Sequence, residues 1–132
     1  MQENEIYKHI QEILEEALGA ETDEIIPSAS LVADLGAESI DFLDISFKLE
    51  QVFNFKIAQG ELFPENLMEN PDWVSDGKFT NLGLEQLRKC MPHVNFNDFE
   101  KDPQVSKVGD VITVSSICDF VKRKLNSENQ SS

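Results

Sequence analysis

Cysteine is scarce. The 132 residues include two, Cys90 and Cys118, 28 positions apart. With no C-x-x-C pair, the chain lacks both the ligand spacing of a zinc ribbon and a thioredoxin-type redox motif. Both thiols are expected to be free and buried. Histidine is equally rare: His9 and His93 are the only two, each expected at the surface. There is no H-E-x-x-H and no D-x-D-x-D-G loop, so a metal site has no visible ligand set. Gly36 and Gly60 lie too far apart to form a phosphate-binding loop.

Basic side chains are also few. Eleven Lys and Arg stand against 25 Asp and Glu, a net charge of −14. The deficit is steepest in residues 1–60, with 13 acidic and 3 basic side chains and a net of −10. Such a surface repels nucleic-acid backbones and anionic membranes, and it attracts basic protein surfaces. No apolar run approaches the ~18 residues that span a bilayer. The segment MQENEIYKHI has no secretory apolar region. A cytoplasmic protein is expected, with no nucleic-acid partner and no membrane insertion.

What is present is enough for one core. Hydrophobic residues make up 40% of the chain, too many for a fully disordered protein. A chain of this size buries roughly two thirds of its unfolded surface, which suits one domain. Residues 4–18 predict an amphipathic helix, with Ile6, Ile10, Ile13, Leu14, Ala17 and Leu18 on one face. Asn4 is its expected N-cap and Gly19 its stop. Residues 20–38 predict a long loop tied to the core by Leu31, Val32 and Leu35. The pattern Val114, Ile117, Phe120, Val121, Leu125 predicts a last helix over 114–125, capped by Thr113, with Lys122, Arg123 and Lys124 facing its negative end. Between lie residues 58–112. TNLGLEQLRKCMP predicts a short helix there, capped by Thr80 or Asn81 and ended by Pro92. Leu62, Phe63, Leu67, Trp73, Val74, Phe79, Phe96 and Phe99 predict that this region is packed.

The helix expected over 39–53 carries two apolar stripes. At ~100° per residue, Phe42, Ile45, Leu49, Val52 and Phe53 share one face. Ile40, Leu43 and Phe47 share another, roughly opposite, bordered by Asp41 and Asp44. Either the middle region folds over the second stripe, or partner proteins dock there, with carboxylates steering and apolar side chains giving contact area. Ser39 stands at the start of this helix. A serine there is usually an N-cap, yet a helix N-terminus also suits a phosphate.

The segment LVADLGAESIDFLDISFKLEQVFNFKI resembles the attachment region of acyl carrier proteins. The shared pattern runs through Asp34, Leu35, Gly36, Ala37, Glu38, Ser39, Ile40 and Asp41, followed by Leu43, Ile45, Phe47, Leu49 and Phe53. ITVSSICDFVKRKL resembles the family's last helix. The resemblance covers about 3–57 and 108–125. It implies an all-α fold: an acyl-carrier-like four-helix bundle with an extra, partly helical insertion. It also implies one carrier domain over 1–126, with the insertion at about 58–107; the polar composition of 127–132 predicts a disordered tail. By resemblance, Ser39 takes 4′-phosphopantetheine from coenzyme A through a phosphopantetheinyl transferase that uses Mg²⁺. Glu38, Asp41 and Asp44 would meet basic docking patches on fatty-acid or polyketide synthesis enzymes, with Ile40, Leu43 and Phe47 as the apolar docking contacts. Phe42, Ile45, Leu49 and Phe53 would line an acyl pocket. The implied protein is a monomeric carrier of thioester intermediates, not an enzyme.

Two departures stand out. Glu38 replaces the family's usual Asp but keeps the charge. The middle region is far longer than in compact members, and the family's third helix is expected near Phe99 to Val108. The insertion would enlarge the acyl pocket or restrict partner choice. Aminoacyl or peptidyl carriers share the serine logic, and an unmodified acidic interaction protein would share the stripe. A serine hydrolase is disfavoured: Ala37 and Asp41 stand where a G-x-S-x-G elbow needs glycine.

Overall fold

The computed structural model describes residues 2–58 and 61–130. Helix α1 spans Glu3–Leu18. It buries Ile6, Ile10, Ile13 and Leu14, the expected stripe. Its N-cap is Gln2, not Asn4. Glu3 and Glu5 thereby fall in the first turn, where the helix dipole favours acid. Gly19 ends the helix at φ 68°, a left-handed geometry that costs glycine little, and its N–H reaches the Glu15 carbonyl.

The loop to α2 is held from both sides. The Tyr7 hydroxyl donates to the Ile25 carbonyl at 2.6 Å. Leu31 N–H donates to the Ile112 carbonyl at 3.0 Å. Ile25, Ala29, Leu31 and Ala37 are buried, while Val32 and Leu35 are half-buried against the core. Helix α2, Ser39–Phe53, then packs on α1. Asn54 stops it in the left-handed region at φ 58°.

Helix α5, Val114–Gln130, also packs on α1. Its expected cap holds. Ser116 N–H donates to Thr113 Oγ1 at 3.1 Å, and Thr113 N–H donates back to Ser116 Oγ at 2.9 Å. Its expected end does not. The helix passes residue 125 and includes 127–130, where a disordered tail was expected; no Gly or Pro interrupts that stretch. Residues 131–132 of the expected tail lie outside the described residues. Lys122, Arg123 and Lys124 therefore sit mid-helix and find carboxylates instead of a dipole end: Glu3, Asp119 and Glu61 respectively.

The insertion is a packed body. It contains helix α3 (Glu65–Met68), strands β1 (Val74–Ser75) and β2 (Lys78–Phe79), and helix α4 (Asn81–Cys90). Two 3-10 helices follow, Phe99–Lys101 and Val105–Val111. The strands pair antiparallel through a two-residue turn, Asp76 at φ 54° and Gly77 at φ 77°. An Asp-Gly pair with both φ positive matches the twist of a hairpin. This hairpin, with isolated bridges between Ser30 and Thr113 and between Lys78 and Gln104, departs from the all-α expectation. The family's third helix, expected near Phe99 to Val108, is replaced by the two 3-10 helices. Thr80 caps α4, accepting from Gly83 N–H at 3.1 Å. Leu84, Leu87 and Met91 form its buried face. These side chains join Phe79, Phe96 and Phe99 in one apolar cluster continuous with α1, α2 and α5. No helix among the described residues is long and apolar enough to cross a membrane.

One glycine in this body is fixed by a neighbour. A Cβ added at Gly83 would stand 2.2 Å from the Trp73 carbonyl oxygen. That oxygen accepts from Thr80 N–H at 3.0 Å, so it belongs to the hairpin's own bonding. Gly83→Ala gains up to about 1 kcal/mol of helix propensity. It also forces backbone apart, at about 1–3 kcal/mol. The expected net result is a lower urea midpoint, and a raised midpoint would show that the hairpin moves aside freely.

Candidate functional site

The turn before α2 is built from its own polar groups. Asp34 Oδ2 accepts from Ser30 N–H at 2.7 Å, and Ser30 Oγ accepts from Ala33 N–H at 3.1 Å. Gly36 turns the chain at φ 73°, and Ala37 N–H closes back on the Leu31 carbonyl at 2.8 Å. Asp34, Leu35 and Gly36 are therefore the scaffold that delivers residue 39 to the helix start.

Ser39 is the first residue of α2, and Glu38 occupies the N-cap position. The cap role open to Ser39 in the sequence is thus taken by its neighbour. Ser39 is exposed. Asp41 folds back, its Oδ2 accepting from Glu38 N–H at 2.8 Å, which holds the first turn closed. Such a helix end, with free backbone N–H groups and a positive dipole, tolerates a phosphodiester. The Ser39 hydroxyl is open to solvent there.

Around Ser39 the surface is acidic and apolar. Glu38 and Asp44 are exposed, and Asp41 is half-exposed. Residues 20–47 contain no Lys or Arg. Lys48, the next cation along, bonds Glu16 at 3.3 Å. Ile40, Leu43 and Phe47 are 67%, 63% and 57% exposed. Of the two fates open to this stripe, the insertion does not take the first: it packs elsewhere and leaves these side chains in solvent.

The opposite face is core. Phe42, Ile45, Leu49 and Phe53 are at most 5% exposed. Val52, expected with them, is 42% exposed and corrects that assignment; it lies at the edge of the arc, beside His9 and Gln51. Phe42 also meets the insertion. The Phe63 ring of the insertion stacks on it, centroids 4.7 Å apart at 26°. The pattern marked Phe63 as packed but gave it no role beside α2, because its partner lies across a chain reversal that periodicity does not encode.

The histidines and cysteines stay outside this site. His9 is half-buried, edge-on to Phe53 at 5.7 Å. His93, expected at the surface, is buried, with its ring 4.9 Å from Phe120. Burial holds its pKa at about 4, outweighing the pull of Asp119. Cys90 and Cys118 are free, and both are half-buried where full burial was expected. Desolvation pushes the Cys118 thiol up to about 11, away from nucleophilic chemistry. Among the described residues no group of three or more His, Cys, Asp or Glu could hold a metal.

The family model "Phosphopantetheine attachment site" matches residues 8–71. The acyl carrier protein of Guillardia theta is 32% identical over 76 residues, 57% of this chain and 94% of that protein. The acyl carrier protein of Rubrobacter xylanophilus is 38% identical over 61 residues, 46% of this chain and 75% of that protein. That of Coprothermobacter proteolyticus is 32% identical over 62 residues, covering 47% and 76%. No solved structure matches the chain.

Proposed function

The chain belongs to the acyl carrier protein family, and from that premise we propose that Ser39 is its phosphopantetheine attachment residue. Members of the family are thioester carriers, not catalysts. The observation that carries the assignment is the exposed Ser39 at the first position of α2, released from capping by Glu38. The arm, when bound, supplies a thiol that holds an acyl group as a thioester. Loading forms the Ser39 Oγ–P bond and breaks the diphosphate of coenzyme A. Adenosine 3′,5′-bisphosphate leaves, and the serine proton is released.

The protein's own residues then present that cargo. Glu38, Asp41 and Asp44 draw basic enzyme surfaces, and Ile40, Leu43 and Phe47 give the apolar contact. The transferase and the acyl-handling enzymes share this face in turn. Phe42, Ile45, Leu49 and Phe53 form the wall against which an acyl chain would shelter. The acidity of α2 supports a fatty-acid or polyketide-type cargo over an aminoacyl one. The long insertion supports a specialised pathway, in which it limits acyl range or partner choice.

Incubation with coenzyme A, Mg²⁺ and a broad-specificity transferase tests the assignment. Intact mass should rise by one phosphopantetheine, and the modified peptide should contain Ser39. No gain with an active transferase overturns the assignment and leaves an acidic interaction protein that uses the same stripe.

A further inference from the structure

An acyl chain tethered at Ser39 partitions towards the nearest apolar interior, because each methylene buried favours burial about fourfold. The inference that follows rests on the Ser39 attachment proposed above. Along α2, Phe42 is the first buried side chain after Ser39, and three residues on it shares that side of the helix. What covers Phe42 beside the site is Phe63, stacked on it at 4.7 Å. Phe42 is 1% exposed, while Phe63 is only half-buried. Of the two rings, Phe63 is the one with solvent to move into.

Two more segments close on the same point. Val32 comes from the loop that leads to Ser39, and Gly109 comes from the 3-10 helix Val105–Val111. A Cβ added at Gly109 would stand 2.8 Å from Val32 Cγ2 and 3.5 Å from Phe63 Cε2. The backbone of that helix therefore packs closely on Val32, and a methyl group there would just touch the Phe63 ring. The loop, α2, the insertion and the 3-10 helix converge at Phe63.

We infer that Phe63 sets which acyl chain lengths enter the core of this carrier, by occupying the face of Phe42 that a chain tethered at Ser39 reaches first. A chain enters only by displacing the ring. It must bury more apolar surface than Phe63 gives up, and one phenylalanine ring corresponds to about two to four methylenes. Short acyl groups stay outside; longer ones displace the ring. The specificity residue thus comes from the insertion, not from the bundle helices.

The test uses the full chain, loaded by a transferase from a series of acyl-coenzyme A thioesters running from butyryl to tetradecanoyl. Cleavage of each thioester by hydroxylamine reports its burial. In Phe63→Ala, protection should set in at chains shorter by about two to four methylenes, with the hexanoyl thioester cleaved at least about threefold more slowly than in the unmutated protein. Phe63→Leu should shift the onset less. Superimposed curves for the unmutated protein and Phe63→Ala overturn the inference. Should Phe63→Ala lose its far-ultraviolet circular dichroism, Phe63→Leu decides by the same criterion. Intact mass at the loading step reports separately on Ser39: failure to load strikes the attachment, and superimposed curves from loaded protein strike Phe63 alone.

Discussion

Ser39→Ala will abolish phosphopantetheine loading and leave the fold intact. The two halves of this result have separate causes. Loading requires the hydroxyl oxygen as the atom bonded to phosphorus, and alanine offers none, so the mass gain falls to zero. Stability is untouched because Ser39 is exposed and Glu38 holds the N-cap position. Alanine at a first helical position loses no buried contact, and exposed substitutions of this kind stay within about 0.5 kcal/mol. Were Ser39 the cap, its replacement would cost about 1 kcal/mol, visible as a lower urea midpoint. Intact mass and a denaturation curve on the same variant therefore separate attachment from capping. Ser115, exposed in the first turn of α5, is the internal control. A mass gain that persists in Ser39→Ala and vanishes in Ser115→Ala would relocate the site.

Legibility in the sequence followed the length of each element. Helix α2 was readable because 15 residues sample four turns, enough to separate Phe42, Ile45 and Leu49 from Ile40, Leu43 and Phe47. The same periodicity left Val52 on the wrong side of the boundary, since a position at the edge of an arc is settled by its neighbours. The hairpin escaped because two-residue strands show no alternation; its one signal was the Asp76–Gly77 pair. Glu38 as cap was hidden because serine leads the cap preferences and glutamate does not. The burial of His93 depends on α5 and the insertion packing together, and nothing local to Pro92, His93 and Val94 encodes that. Likewise, Phe63 meets Phe42 across 21 positions of chain. The bundle was legible from local pattern; what the insertion does to it was not.

His93 makes the carrier lose stability in mild acid. The residue is 8% exposed, and among the described residues its Nε2 has no hydrogen-bond partner. The charged groups around it are Asp119 and Arg123 of α5 and Glu61 of the insertion. Burial dominates them and lowers its pKa from 6.5 to about 4. The unfolded chain thus takes up a proton near pH 6.5, while the folded chain resists until about 4. Between those values the unfolded state binds more protons, so stability falls as pH falls. The contribution is fully present above 6.5 and gone below 4. At 1.36 kcal/mol per pKa unit, it is about 3 kcal/mol. In His93→Phe the ring against Phe120 is kept, and the titration and the unpaired nitrogen are removed. Unfolding free energies of the two proteins, measured from pH 7 to pH 4, should diverge by about that amount, with the variant favoured in acid. Parallel curves would mean that His93 meets solvent. Because His93 joins the insertion to Phe120 of α5, the strain of protonation falls first on that contact. Trp73, the only tryptophan, lies in the insertion. Its fluorescence should change at a higher pH than the far-ultraviolet circular dichroism of the bundle, and in His93→Phe the two transitions should merge.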